Sequence, residues 1–164
     1  MSRTTKLRPW LRAGGLLALT LAAVLACTGV GAALSHAGVR AKGRAYVRVG
    51  NTLAGPLLVN SRGYVLFTFA RNHRKQNRCV KIKGCVTDWP PVTTVGKPIA
   101  GPGVVPALLG SIPYSGKLRQ VTYAGRPLDT YKFALSAESS VTSIGITQFG
   151  GPWDAVAATG KTVG

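Results

Sequence analysis

The chain has 164 residues and a formal charge of +17, from 21 Lys and Arg against 4 Asp and Glu. That length holds one domain and is too short for two ordinary ones once a leader is set aside. The charge favours polyanionic surfaces, with lipid headgroups, anionic cell-wall polymers and nucleic acid all admissible, while 21 Gly, 10 Pro and a near absence of acidic helix formers point to turns and short strands.

Arg3, Lys6, Arg8 and Arg12 precede a charge-free run from Ala13 to Ser35, the pattern of an export signal. Residues 1–37 are therefore expected to be an export signal, a lipoprotein signal or a membrane anchor. Val24-Leu25-Ala26-Cys27 is similar to the lipobox of bacterial lipoproteins, in which the cysteine becomes lipid-modified. Three cysteines in an exported chain leave one over, and by position it is Cys27. An ordinary cleavage at Ser35-His36-Ala37, or retention of Gly14 to Leu34 as an anchor, are the other readings. A diacylglyceryl cysteine supplies two acyl chains, and Arg40, Lys42, Arg44 and Arg48 would add attraction to anionic headgroups. Only four of the basic residues belong to the signal, so the excess charge resides in the rest of the chain. Residues 38–53 read as a basic tether, and 54–164 as the folded domain.

Leu57-Leu58-Val59, the turn cluster Asn60-Ser61-Arg62-Gly63 and Tyr64 to Phe69 predict a first hairpin. Alternation places Val65, Phe67 and Phe69 on the core face, opposite Tyr64, Leu66 and Thr68. Arg62 to Phe69 also imitates an aromatic RNA-binding strand, but no second signature accompanies it, so nucleic acid is disfavoured.

Arg71, Arg74, Lys75, Arg78, Lys81 and Lys83 follow, with His73 among them and no acid. Such a run is either a solvated loop or a polyanion contact whose affinity falls with salt.

Cys79 and Cys85, in an exported chain, are expected to form a disulfide that closes a small loop. The lysines between them leave open a thiol-disulfide redox role. No Cys-x-x-Cys spacing is present and only His73 lies near, so neither metal nor cofactor is expected. Trp89-Pro90-Pro91 stiffens the exit from this loop. Asp88 is the acid closest to the basic run.

Gly101 to Gly110 reads as a connection with one helical turn over Val104 to Leu109. Lys117 to Tyr123, an Ala124-Gly125 turn and Leu128 to Phe133 predict a second hairpin. Ser136 to Ile146 is a polar loop, and Gln148 to Val156 a glycine turn into a last strand. Each half thus carries an aromatic-x-aromatic hairpin end, Phe67-Thr68-Phe69 or Tyr131-Lys132-Phe133, then a loop and a tryptophan, Trp89 or Trp153. The expected fold is all-β with a short helical turn: a small compact domain from two related hairpin units.

Leu66 to Phe69, Cys79 with Cys85, Trp89-Pro90-Pro91-Val92, Gly101-Pro102-Gly103, Gln120 to Leu128 and Phe149 to Val156 occur together in this order. In this the chain resembles the bacterial "secreted repeat of unknown function" lipoproteins, with their Tyr-x-(Phe/Trp/Tyr)-x-x-Asp pattern, over about residues 55–163. The resemblance implies an envelope lipoprotein at the outer face of the cell membrane, or secreted, and no known reaction. Both signature carboxylates are replaced here, by Asn72 and Ser136: if the family aspartates carry an activity or bind a cation, this chain has lost it, and if they cap turns, Asn72 and Ser136 can do the same.

The resulting expectation is a non-enzymatic domain that binds an anionic envelope component, a polymer or lipid headgroups, through Arg71 to Lys83. The alternative is a redox protein using Cys79 and Cys85. Against catalysis stands the acid-base inventory of His36, His73, Asp88, Asp129, Glu138 and Asp154, none paired by spacing.

Overall fold

The computed structural model describes residues 43–164, so Cys27 and the signal or anchor expected over 1–37 lie outside the described residues. The strands run in chain order as β1 (Tyr46–Thr52), β2 (Gly55–Asn60), β3 (Phe67–Phe69), β4 (Thr93–Thr94), β5 (Ile99–Ala100), β6 (Leu109–Ser115), β7 (Leu118–Tyr123), β8 (Arg126–Pro127), β9 (Ile146–Gln148), β10 (Gly151–Val156) and β11 (Thr162–Val163). One short helix, α1 (Cys85–Asp88), and 3-10 turns at Cys79–Lys81, Pro106–Leu108 and Ser139–Ser143 complete the inventory of the described residues. The fold is all-β, as the composition predicts, and the helical turn expected near Val104 to Leu109 is the one at Pro106–Leu108.

The strands form three small sheets, ordered β2-β1-β5, β11-β10-β3 with β9 on β10, and β4-β7-β6 with β8 on β7. The turns of both expected hairpins are present, but the long strand pairings are not, and the expected second arm over Leu128 to Phe133 forms no strand. In the first, Val59 bridges Val65 across the Asn60 to Gly63 turn, while most of β2 pairs with β1. In the second, Ala124 and Gly125 take φ of 49° and 79° and return β7 onto the two residues of β8. These left-handed angles suit the right-handed twist of a two-residue hairpin. The chain then leaves the sheet: Tyr131 to Phe133 is not strand, and the Lys132 N–H donates to the Asp88 carbonyl.

Residues 46–52 correct the tether expected over 38–53. They form β1, which pairs antiparallel with β2 from Val47 opposite Asn60 to Thr52 opposite Gly55, and parallel with β5. Val47 is fully buried. Alternation in Tyr46-Val47-Arg48-Val49 is enough to bury one face of an extended segment, and the neighbouring arginines conceal that pattern in a reading by charge.

Two hydrophobic clusters share a central layer. Leu57, Val59, Val65, Phe67 and Ala155 belong to one cluster, and their neighbours Leu58, Leu66 and Val156 to the other. The layer is tied by hydrogen bonds from the Leu66 N–H to the Leu58 carbonyl and from the Val156 N–H to the Leu66 carbonyl. Side chains alternate across it, so both faces are covered. Val65, Phe67 and Phe69 take the core face expected for them, and Leu66 is buried as well because the opposite face has a core of its own.

Candidate functional site

The aromatic residues singled out in the sequence form one column through the first core. Phe69 stacks on Trp153 with centroids 4.6 Å apart, Trp153 on Trp89 at 4.1 Å, and Trp89 meets Tyr131 at 4.4 Å. Phe133 continues it edge-on from Tyr131 at 5.5 Å, and Phe67 meets Trp89 edge-on at 5.3 Å. The Pro90 carbonyl accepts from the Thr130 N–H and so seats the segment that carries Tyr131. Phe67 and Phe69 are at most 1% exposed, so neither ring offers a face to a nucleic-acid base.

Cys79 and Cys85 form the disulfide, Cα to Cα 5.3 Å, between the 3-10 turn at Cys79–Lys81 and α1. Both are fully buried beside the tryptophan column. Gly84, at φ +79°, makes the turn into α1. Asn72 and Ser136 cap turns: the Asn72 Oδ1 accepts from the Arg78 N–H at 2.8 Å, and the Ser136 Oγ accepts from the Ser139 N–H at 3.1 Å while the Ser139 Oγ accepts from the Ser136 N–H at 2.9 Å. A short polar side chain bonded to backbone a few residues on does this without a charge.

The Lys75 N–H donates to the Gly125 carbonyl at 2.7 Å and the Asn77 Nδ2 to the Gln120 Oε1 at 2.8 Å, and these bonds hold the basic loop against the third sheet. Between them lies a groove of about 840 Å³, lined on the loop side by Lys75, Arg78, Val80 and Lys81 and on the sheet side by Ile112, Pro113, Tyr114 and Ser115 of β6. Three cations line it and no acid does. A second depression of about 560 Å³ is lined by Arg71, His73, Arg78, Lys81 and Ile82, so Arg78 and Lys81 stand on the ridge between the two.

The six basic residues thus divide. Lys75, Arg78 and Lys81 are brought together at the groove. Arg71 donates to the Phe149 carbonyl at 3.1 Å and borders only the second depression. Arg74 lies along the Gly125 turn, close enough that a Cβ there would sit 2.8 Å from its Cγ. Lys83 is exposed beside Gly84 and lines neither depression.

The floor of the groove is polar and closed. The Asn77 Nδ2 donates to the Gln120 Oε1 at 2.8 Å, and the Gln120 Nε2 donates to the Leu128 carbonyl at 3.0 Å and to the Asp129 Oδ1 at 2.9 Å. The Asn77 Oδ1 accepts from the Cys79 N–H at 2.8 Å, which joins this chain to the disulfide loop. Asp129 is wholly buried, and loss of solvation pushes its carboxyl from 3.8 up to about 8, against the opposing pull of the Gln120 and Asn77 amides. It is therefore held as a neutral acid near pH 7.

Asn77, the β6 residues and the burial of Gln120 and Asp129 beneath the groove are the parts of this site that the sequence does not show. Gln120 alternates with the apolar Val121 and Tyr123, which marks it for the outer face, and it is buried because Gln120 to Tyr123 are covered on both faces of β7. Nothing local marks β6, whose Pro113 masks it as strand; it is an edge strand, paired only with β7, where proline is tolerated. Among the described residues no group of three His, Cys, Asp or Glu comes together to hold a metal, and no helix is long and apolar enough to cross a membrane. No family model, curated protein or solved structure matches the chain.

Proposed function

We propose that this is an exported envelope protein, of the kind its resemblance to the secreted-repeat lipoproteins implies, whose β domain binds an anionic envelope component without catalysing a reaction. The observation that carries the binding role is the convergence of Lys75, Arg78 and Lys81 on one groove that no acidic side chain lines. Cations gathered in a concavity reinforce one another's field, and the partner they favour is a multivalent anion whose counterions are released on binding. Attachment at the outer face of the membrane, through a lipidated Cys27 or a retained anchor, would keep the groove within reach of envelope polymers.

The redox alternative draws on the same loop but has weaker physical support. A thiolate must reach a sulfur in line to exchange with it, and both sulfurs belong to residues sealed in the aromatic core.

The test passes envelope extract over the immobilised full chain at two salt concentrations. Retention is expected at low salt, with loss at high salt and in the combined Lys75→Gln, Arg78→Gln, Lys81→Gln variant. Undiminished retention by that variant would remove the groove from the role. For export, mass spectrometry of the N-terminus should find a lipidated Cys27, and an unmodified start at Gly38 would overturn the lipoprotein reading.

A further inference from the structure

The groove sets cations against apolar surface. On the loop side Lys75, Arg78 and Lys81 stand among Val80 and Val86; on the β6 side are Ile112, Pro113 and Tyr114. Tyr114 occupies a break in the register of β6 and β7, where Pro113 pairs with Arg119 and Ser115 with Leu118, so that Tyr114 has no cross-strand partner. Such an extra residue re-aims its side chain out of the regular pleat. Tyr114 remains 37% exposed at the groove.

We propose that the occupant is an anionic polysaccharide, a chain of sugar rings bearing carboxylates or phosphodiesters. The inference rests on the polyanion reading above and narrows it. A sugar ring presents a face of C–H groups that packs against an aromatic or proline surface, while its acidic substituents meet the cations opposite. A ringless polyanion leaves the Ile112, Pro113 and Tyr114 side unused. A bilayer surface is broad and nearly flat, so it would meet Arg78 and Lys81 on their ridge and leave the concavity between them and β6 unfilled.

The floor points the same way. Gln120 spends its amide on Leu128, Asp129 and Asn77, and the Asn77 oxygen is taken by the Cys79 N–H, so no converging set of floor donors awaits a small free anion. The volume of about 840 Å³ lies toward the upper end for ligand sites and suits several linked units better than one ion. Single-stranded nucleic acid also combines charge with rings, but proteins that bind it use successive aromatic platforms, and this groove has one.

The experiment measures binding of the full chain, at low and moderate salt, to polygalacturonate, polyphosphate of matched charge, dextran, a single-stranded oligonucleotide and phosphatidylglycerol vesicles. Polygalacturonate should bind tightest, about tenfold above polyphosphate, and dextran not at all. Tyr114→Ala should lose about tenfold toward polygalacturonate and nothing toward polyphosphate, while Tyr114→Phe retains binding. Equal affinity for the two polymers with Tyr114→Ala harmless would overturn the saccharide inference and leave the polyanion reading standing. Tightest binding to the oligonucleotide or the vesicles would overturn it too. If no anionic probe binds in a salt-sensitive manner, both readings fall. Unchanged thermal melting of Tyr114→Ala, expected of an exposed side chain at a bulge, excludes misfolding as the cause of a loss.

Discussion

The indole rings of Trp89 and Trp153 lie face to face, 4.1 Å between centroids and within 4° of parallel. One follows the disulfide loop and the other sits in β10, so the contact joins segments far apart in the chain. Replacing either with Ala should cost about 3–5 kcal/mol of stability, read as a lowered denaturant midpoint. The phenylalanine variants separate two effects. Trp89 Nε1 donates to the Gln148 Oε1 at 2.7 Å, whereas Trp153 Nε1 has no partner. Trp89→Phe should therefore cost about 1 kcal/mol more than Trp153→Phe.

Asp129 makes stability fall as pH rises. Below its ordinary value of 3.8 the carboxyl is protonated in both states, so burial carries no titration penalty. Between there and about 8 only the unfolded chain releases the proton, and the unfolding free energy declines by up to about 1.4 kcal/mol per pH unit. Above about 8 the native state releases it as well and the decline ends. Asn at this position can still accept from Gln120 and cannot ionise. Urea denaturation across this range should show a flatter pH profile for Asp129→Asn and greater stability than the parent near pH 7.

The disulfide is expected to be structural. Replacing Cys79 and Cys85 with Ser should cost about 2 kcal/mol from regained freedom of the unfolded chain, and more from placing two hydroxyls in an apolar cluster. Thiol labelling in a mild dithiol should proceed no faster than unfolding, because both residues are fully buried. Rapid labelling of the native protein would instead support redox chemistry.

Gly103 and Gly96 provide a controlled pair. Both have left-handed backbones, at φ +77° and +76°, but a Cβ on Gly103 would lie 2.8 Å from the Val49 Cβ, while one on Gly96 meets nothing within 4 Å. Gly96→Ala should cost about 1 kcal/mol from backbone strain alone. Gly103→Ala should cost about 2 kcal/mol or more, since β1 must shift to admit it. Thermal melting of the two variants gives the difference directly.

The sequence by itself determined the strand-rich class, the pairing of Cys79 with Cys85, the aromatics of the core and the acid-free basic run. These follow from local properties: alternation in Tyr64 to Phe69, the Ala124-Gly125 turn, and the proximity of two cysteines whose disulfide the structure contains. Charge obscured β1, where Arg48 holds the outward position of a short alternation, and proline obscured β6. Only the tertiary structure decided that Phe69, Trp153, Trp89 and Tyr131 form one column, and that Lys75, Arg78 and Lys81, but not Arg74 or Lys83, line a groove opposite Tyr114. Which side chains share a concavity depends on how three sheets pack and where one register shifts. Those contacts link residues tens of positions apart, and no local pattern of residues encodes them.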